Sequence, residues 1–188
     1  MLLARMLAAS VALPLAMLGA GPALSATKAP APRARLLPSL CRPPEVPLFQ
    51  CPVGAKQVAI CAASAAPRAA VQYRFGAPGK VELAYPTAPG AAPLRWAQTG
   101  YSGGGEMQVS FANGGVTYVV YSRMVRTGFG KDGLNYPKDE LGVAAIRGGK
   151  TLSDARCRFA EMQGGNSGWI DEQRTMQLLK PGEFIYVD

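Results

Sequence analysis

The stretch Gly100-Tyr101-Ser102-Gly103-Gly104 has the G-x-S-x-G spacing of a hydrolase nucleophile elbow. Such an elbow needs a strand before the serine, a helix after it and a histidine to take the proton. Here a second strand is expected to follow, and the 188-residue chain has no histidine at all. A Ser–Lys dyad would be the remaining route, and no neighbour of Ser102 points to one. Ser102–Gly105 is no phosphate loop either, because no Gly-Lys-Ser/Thr and no helix come after it. The expectation for this stretch is a loop between strands. Its exposed backbone amides make Tyr101, Ser102, Gly103 and Gly104 candidate binding residues.

Without histidine, paired carboxylates are the next chemistry to consider, as in glycosidases. Glu82, Glu106, Asp132, Asp139, Glu140, Asp154, Glu161, Asp171 and Glu172 are available, in no motif that sets two across a cleft. Asp132, Asp139 and Glu140 share one loop but lack the alternating acid rhythm of a calcium-binding EF-hand. The four cysteines are Cys41, Cys51, Cys61 and Cys157. Their spacing does not match zinc-binding pairs. No metal and no cofactor is expected.

The remaining candidates are aromatic and cationic. Tyr73, Phe75 and Tyr85 are expected to fill a core. Arg74 between them should point outward, as a binding residue or as a partner of Glu82 across a hairpin. Trp96, Tyr101 and Trp169 fall in or near expected loops, where amphipathic aromatics serve as contact anchors.

These residues need a scaffold, and its first clue is the N-terminus. Arg5, the apolar stretch Met6–Gly19 and the small residues Gly21–Ala26 read as a secretory signal, residues 1–26, cleaved after 25 or 26. The apolar stretch is short of the ~20 residues that a spanning helix needs, and Pro14 interrupts it. An even number of cysteines in an exported chain implies two disulfides. Three pairings are open. Cys61–Cys157 is the expected bridge, since closing a loop of nearly the whole domain restricts the unfolded chain by roughly 4–5 kcal/mol, with Cys41–Cys51 pinning the proline-rich arm to the first strand.

Removal of the leader leaves a net charge of +7. The basic residues are scattered, with no nucleic-acid-binding motif. An anionic envelope component or a protein is therefore the expected partner, and nucleic acid is not. Residues 27–47 are rich in Ala and Pro and read as an extended linker. Residues 48–188 read as one β domain, with 158–188 as a C-terminal extension.

Within that domain, apolar runs alternate with turn residues. Strands are expected at Leu48–Cys51, Lys56–Ala62, Val71–Phe75 and Lys80–Tyr85. In the last of these, Val81, Leu83 and Tyr85 share the buried face. A hairpin follows, Met107–Phe111 and Val116–Ser122, turning at Asn113-Gly114. Val116–Ser122 is apolar on both faces, which marks a central strand or one covered on both sides. A second hairpin joins Gly142–Ile146 to Lys150–Cys157 through Gly148-Gly149. Gly128–Glu140 reads as a long polar loop, Ile170–Leu179 as a short helix ended by Pro181-Gly182, and Glu183–Val187 as a final strand. Fold class is all-β: an antiparallel sandwich or small barrel of about eight strands.

The runs LFQC (48–51), VAIC (58–61), QYRFG (72–76) and GKVELAYP (79–86) resemble an uncharacterised family of small exported β-sheet proteins of Gram-negative bacteria. FANGGVTYVVY (111–121) and GVAAIRGGK (142–150) are similar as well. The resemblance covers roughly residues 48–157 and implies a secreted β protein without an assigned activity. Phe49-Gln50-Cys51 and Ser102-Gly103-Gly104-Gly105 are also similar to C-type lysozyme inhibitors, which plug an enzyme cleft with a Ser-Gly loop. A chain of net +7 would be repelled by a cationic lysozyme. The expected function is thus a non-enzymatic secreted or periplasmic binding module, of an inhibitor or immunity type. The alternative is a cell-wall or polysaccharide enzyme that uses carboxylates.

Overall fold

A computed structural model describes residues 38–64, 70–88, 91–158 and 168–187, all within the unit Arg33–Asp188. The secretory leader and most of the expected linker lie outside the described residues. Nine strands follow one another, five of the eight links being two-residue turns: β1 Val46–Val53, β2 Lys56–Ala62, β3 Val71–Ala77, β4 Lys80–Tyr85, β5 Arg95–Tyr101, β6 Gly104–Asn113, β7 Val116–Val125, β8 Lys138–Arg147 and β9 Lys150–Arg156. Helix α1, Glu172–Leu178, and the two-residue β10, Lys180–Pro181, complete the set. The all-β sandwich is present, with its short C-terminal helix.

The strands form two sheets, ordered β1-β2-β3-β4 and β10-β5-β6-β7-β8-β9. Within each sheet, strands consecutive in the chain pair antiparallel. Only β10, beside β5, is parallel. The β6–β7 turn is Gly114-Gly115, one residue later than expected, with Asn113 already paired to Val116. Both glycines have positive φ, 58° and 74°, which a type I′ turn needs and a Cβ resists.

The sheets close over one apolar layer. Phe49, Val58, Ile60 and Tyr73 from the first sheet meet Val109, Phe111, Val120 and Leu141 from the second. Phe111 stacks on Tyr85 at 4.4 Å and on Tyr118 at 5.0 Å. Val81 does not join this layer. A register shift in the β3–β4 pair sets Phe75 opposite Leu83 but Gly76 opposite Val81. Glu82 is the additional residue, so the alternation breaks and Val81 faces solvent.

Two strands are buried on both faces. Ala59 and Cys61 of β2 turn away from the core and are covered by Leu40 and Cys41. Val119 and Tyr121 of β7 are covered by Ile185 and Val187. β7 is central, as its two-sided apolar pattern predicts. Glu183–Val187 is not a strand. It crosses the outer face of the larger sheet, held by the Gln108 amide. That amide donates to the Ile185 carbonyl at 2.7 Å and accepts from the Ile185 N–H at 3.1 Å.

The disulfides are Cys41–Cys61 and Cys51–Cys157, not the expected Cys61–Cys157 and Cys41–Cys51. The reason is strand parity. Cys51 pairs across with Val58, on the core face, where it can reach Cys157 beyond the second sheet's last strand. Cys61 lies on the opposite face and meets only the arm. Loop-closure entropy concerns the unfolded chain and carries no information about which way a side chain points.

Arg74 also departs from expectation. It lies opposite Ala59, on the face that the arm covers, and it is buried. Its guanidinium holds Glu45 and donates to the Leu40 carbonyl at 2.8 Å. Glu82 pairs with Lys56 instead, at 2.6 Å. Arg74 is therefore a clasp on the arm, and the segment before β1 is fastened to the sheet.

Candidate functional site

Strand pairing brings two expected loops to the same end of the larger sheet. Tyr101 pairs with Gly104, which leaves Ser102 and Gly103 as the β5–β6 tip. Gly105 pairs with Met124, and Val125 with Lys138, so residues 126–137 leave the sheet beside that tip. The approach is close enough to dictate the glycines. A Cβ on Gly104 would lie 2.0 Å from the Met124 carbonyl oxygen. One on Gly103, at φ +87°, would lie 2.6 Å from the Arg126 guanidinium. Gly104 is required by that backbone contact and Gly103 by its left-handed φ.

Beneath the tip lies a cleft of about 450 Å³. Gln98, Gly100, Gly104, Ser122, Trp169 and Glu172 are among its walls. The segment before α1 is fixed there in two ways. The Ile170 N–H donates to the Ser122 hydroxyl at 3.4 Å, and Asp171 caps the helix by accepting from the Arg174 N–H at 3.0 Å.

The loop after β7 is ordered by its own polar groups. Phe129 and Asn135 form an isolated bridge, and the Gly130 N–H donates to the Leu134 carbonyl at 2.7 Å. Asp132 accepts from the Leu134 N–H and from the Tyr136 hydroxyl. The Tyr136 hydrogen bond, then the backbone one, hold the Asp132 carboxyl below its ordinary range. The sequence reads this segment as a polar loop, yet it presents three large apolar side chains to solvent. Phe129 is 71% exposed, and Leu134 and Tyr136 are each 58% exposed. The Arg126 guanidinium sits 5.8 Å from the Phe129 ring centre.

A polar chain crosses the outer face of the same sheet. The Tyr101 hydroxyl donates to Glu106, which also accepts from Gln108 Nε2 at 2.6 Å. Arg123 stands 3.7 Å from Glu106 and 2.7 Å from Glu140. Glu140 further receives Lys138 and Arg156, and Arg156 reaches Asp154. Hydrogen bonds from Lys138 and then Arg123 outweigh partial burial and hold the Glu140 carboxyl down to about 2. The Tyr121 hydroxyl donates to Asp154 at 2.7 Å. Its pKa is raised, first by burial and then by that bond.

Of the sequence candidates, Tyr101, Ser102, Gly103 and Gly104 gather at this end, with Gly104 and Trp169 lining the cleft. Trp96 does not join them. It lies in β5, a strand that the sequence did not announce, packs against the core and has Pro181 beside it. Arg74 lies in the other sheet. Sequence reasoning missed Phe129, Leu134 and Tyr136, because Gly, Lys and Asp between them mask any period. It also missed the burial of Gln108, which alternates with the apolar residues of its strand, and of Glu106, which lay outside the expected strand.

Among the described residues, no three His, Cys, Asp or Glu side chains converge in a way that could hold a metal ion, and no helix is long and apolar enough to cross a membrane. No protein-family model, curated protein or solved structure matches the chain.

Proposed function

We propose that this chain is a non-enzymatic binding module that works outside the cytoplasm, in the periplasm or after secretion. It engages an envelope-associated partner through the end where the β5–β6 tip, the 126–137 loop and Trp169–Glu172 converge. The observation that carries this reading is the ordered loop with Phe129, Leu134 and Tyr136 turned to water. An apolar group held in solvent by internal hydrogen bonds forgoes burial energy, and this is characteristic of a contact surface. Two disulfides fit an oxidising compartment. The leader-like N-terminus and the resemblance to exported β-sheet proteins support export. The non-enzymatic part is supported by the acids around the cleft. Glu106 is engaged by Tyr101 and Gln108, which leaves Glu172 without an evident catalytic partner.

Site-specific photocrosslinking in intact cells tests this reading. A crosslinker at residue 129 or 102 should give a defined adduct with an envelope component. The same crosslinker at residue 114, in the β6–β7 turn at the far end of the sheet, should not. Adducts that ignore position, or no adduct at any position, would sink the proposal.

A further inference from the structure

The exposed side chains at the loop end are of two kinds, and their arrangement bears on the partner's chemistry. Phe129, Leu134 and Tyr136 project from a single loop. Around them are two exposed cations, Arg126 at one base of the loop and Lys131 near its tip, while Lys138 at the other base is paired with Glu140. Asp132 is the one exposed acid between residues 126 and 138, and the Leu134 N–H and Tyr136 hydroxyl already occupy its oxygens. The whole chain carries +8.

From this juxtaposition, and resting on the binding-module reading, we infer that the 126–137 loop docks on an anionic phospholipid surface. Phe129 and Leu134 enter the boundary between headgroups and acyl chains, Tyr136 stays at headgroup level, and Arg126 and Lys131 meet lipid phosphates. Amphipathic aromatics and long cationic side chains suit that boundary, since each has an apolar body and a polar end. Basic residues next to the surface add attraction for anionic lipid. A stable protein interface takes about 800 Å² from each side. Three side chains on a loop of a dozen residues form a narrow projection, which a fluid surface accommodates more readily than a rigid one. The loop's internal hydrogen bonds pre-order it, so insertion costs little further ordering.

The test uses the chain as the cell exports it, oxidised, with vesicles of phosphatidylglycerol and phosphatidylethanolamine, or of phosphatidylcholine alone. Co-sedimentation should occur with the first and fall as salt rises. Phe129→Ser and Leu134→Ser leave the charge unchanged and should each weaken binding roughly tenfold or more. Lys131→Glu should weaken it and flatten the salt dependence. An unchanged thermal midpoint in each variant keeps lost binding distinct from lost folding. Equal binding of the parent and the two serine variants would mean charge attraction alone and overturns the proposal. Failure to bind vesicles, together with a crosslink from residue 129 to an envelope protein, overturns the lipid assignment and keeps the loop-end reading. Failure of both experiments removes both.

Discussion

Two nitrogens of Arg74 each lie 2.6 Å from an oxygen of Glu45, one guanidinium closing on one carboxylate. The pair joins β3 to the arm before β1, and Cys41–Cys61 pins the same arm 20 residues apart in sequence. The Arg74 hydrogen bond draws the Glu45 carboxyl below its ordinary range against the opposing effect of burial. Arg74→Ala would remove the donor to the Leu40 carbonyl and leave Glu45 with the Arg42 backbone N–H alone, at a cost of about 2–3 kcal/mol. Urea unfolding should show this loss, and hydrogen exchange should show residues 40–45 opening. Crosslinking from residue 129 should be unaffected. A variant as stable as the parent would mean that the clasp contributes nothing.

The disulfides should differ in worth. Cys51–Cys157 spans 106 residues and Cys41–Cys61 spans 20. Restriction of the unfolded chain gives about 4–5 kcal/mol for the first and about 3 kcal/mol for the second. Double replacement by Ala should therefore lower the denaturation midpoint more for 51/157 than for 41/61. Peptide mapping without reduction should recover 51 joined to 157. A peptide joining 61 to 157 would contradict the strand parity described above.

Glu140 makes stability depend on acid. Its pKa lies at about 2 in the folded chain, against an ordinary value of 4.5. Between these values the unfolded chain binds the extra proton, so stability rises with pH there. The stabilisation is complete above about pH 4.5 and disappears as pH falls toward 2. Lys138 and Arg156 face solvent, so water screens the interaction and roughly 1 kcal/mol is at stake. Glu140→Gln should flatten the stability curve between those limits and leave it unchanged near neutrality in slope. A parent curve already flat between pH 4.5 and 2.5 would count against this account.

Tyr121 lies across Gly142. A Cβ at Gly142 would meet the Tyr121 hydroxyl at 2.9 Å and the Ala155 carbonyl at 2.6 Å. Gly142→Ala should cost about 1–3 kcal/mol, because the ring must leave Asp154 or the strands must part. Tyr121→Phe removes only the bond to Asp154 and should cost about 1 kcal/mol. In the double variant the two losses should not add, since the alanine has already displaced the hydroxyl. Strict additivity, measured by chemical denaturation, would show that the two residues do not interact.

The chemistry-bearing residues were legible in kind but not in place. A G-x-S-x-G string was visible, and its reading as a turn follows from the absence of histidine and the strands around it. That Gly104 is demanded by the Met124 carbonyl depends on a contact across the sheet, which no local pattern records. β5 escaped because Gln98, Thr99 and Gly100 lack apolar alternation. It exists through pairing with β6 on one side and β10 on the other.

Alternation of apolar and polar residues determined most strands, because a pleated chain sends successive side chains to opposite faces. The tight Gly-containing turns determined the antiparallel order. Tertiary structure alone decided what covers the second face of each sheet. The arm over β2 and the tail over β7 turned Arg74, Glu106 and Gln108 from expected surface residues into buried ones. It also decided the cysteine partners and the meeting of the two loops at one end. Local pattern reports how a segment is half-buried, whereas the identity of its cover is a contact between residues distant in the chain.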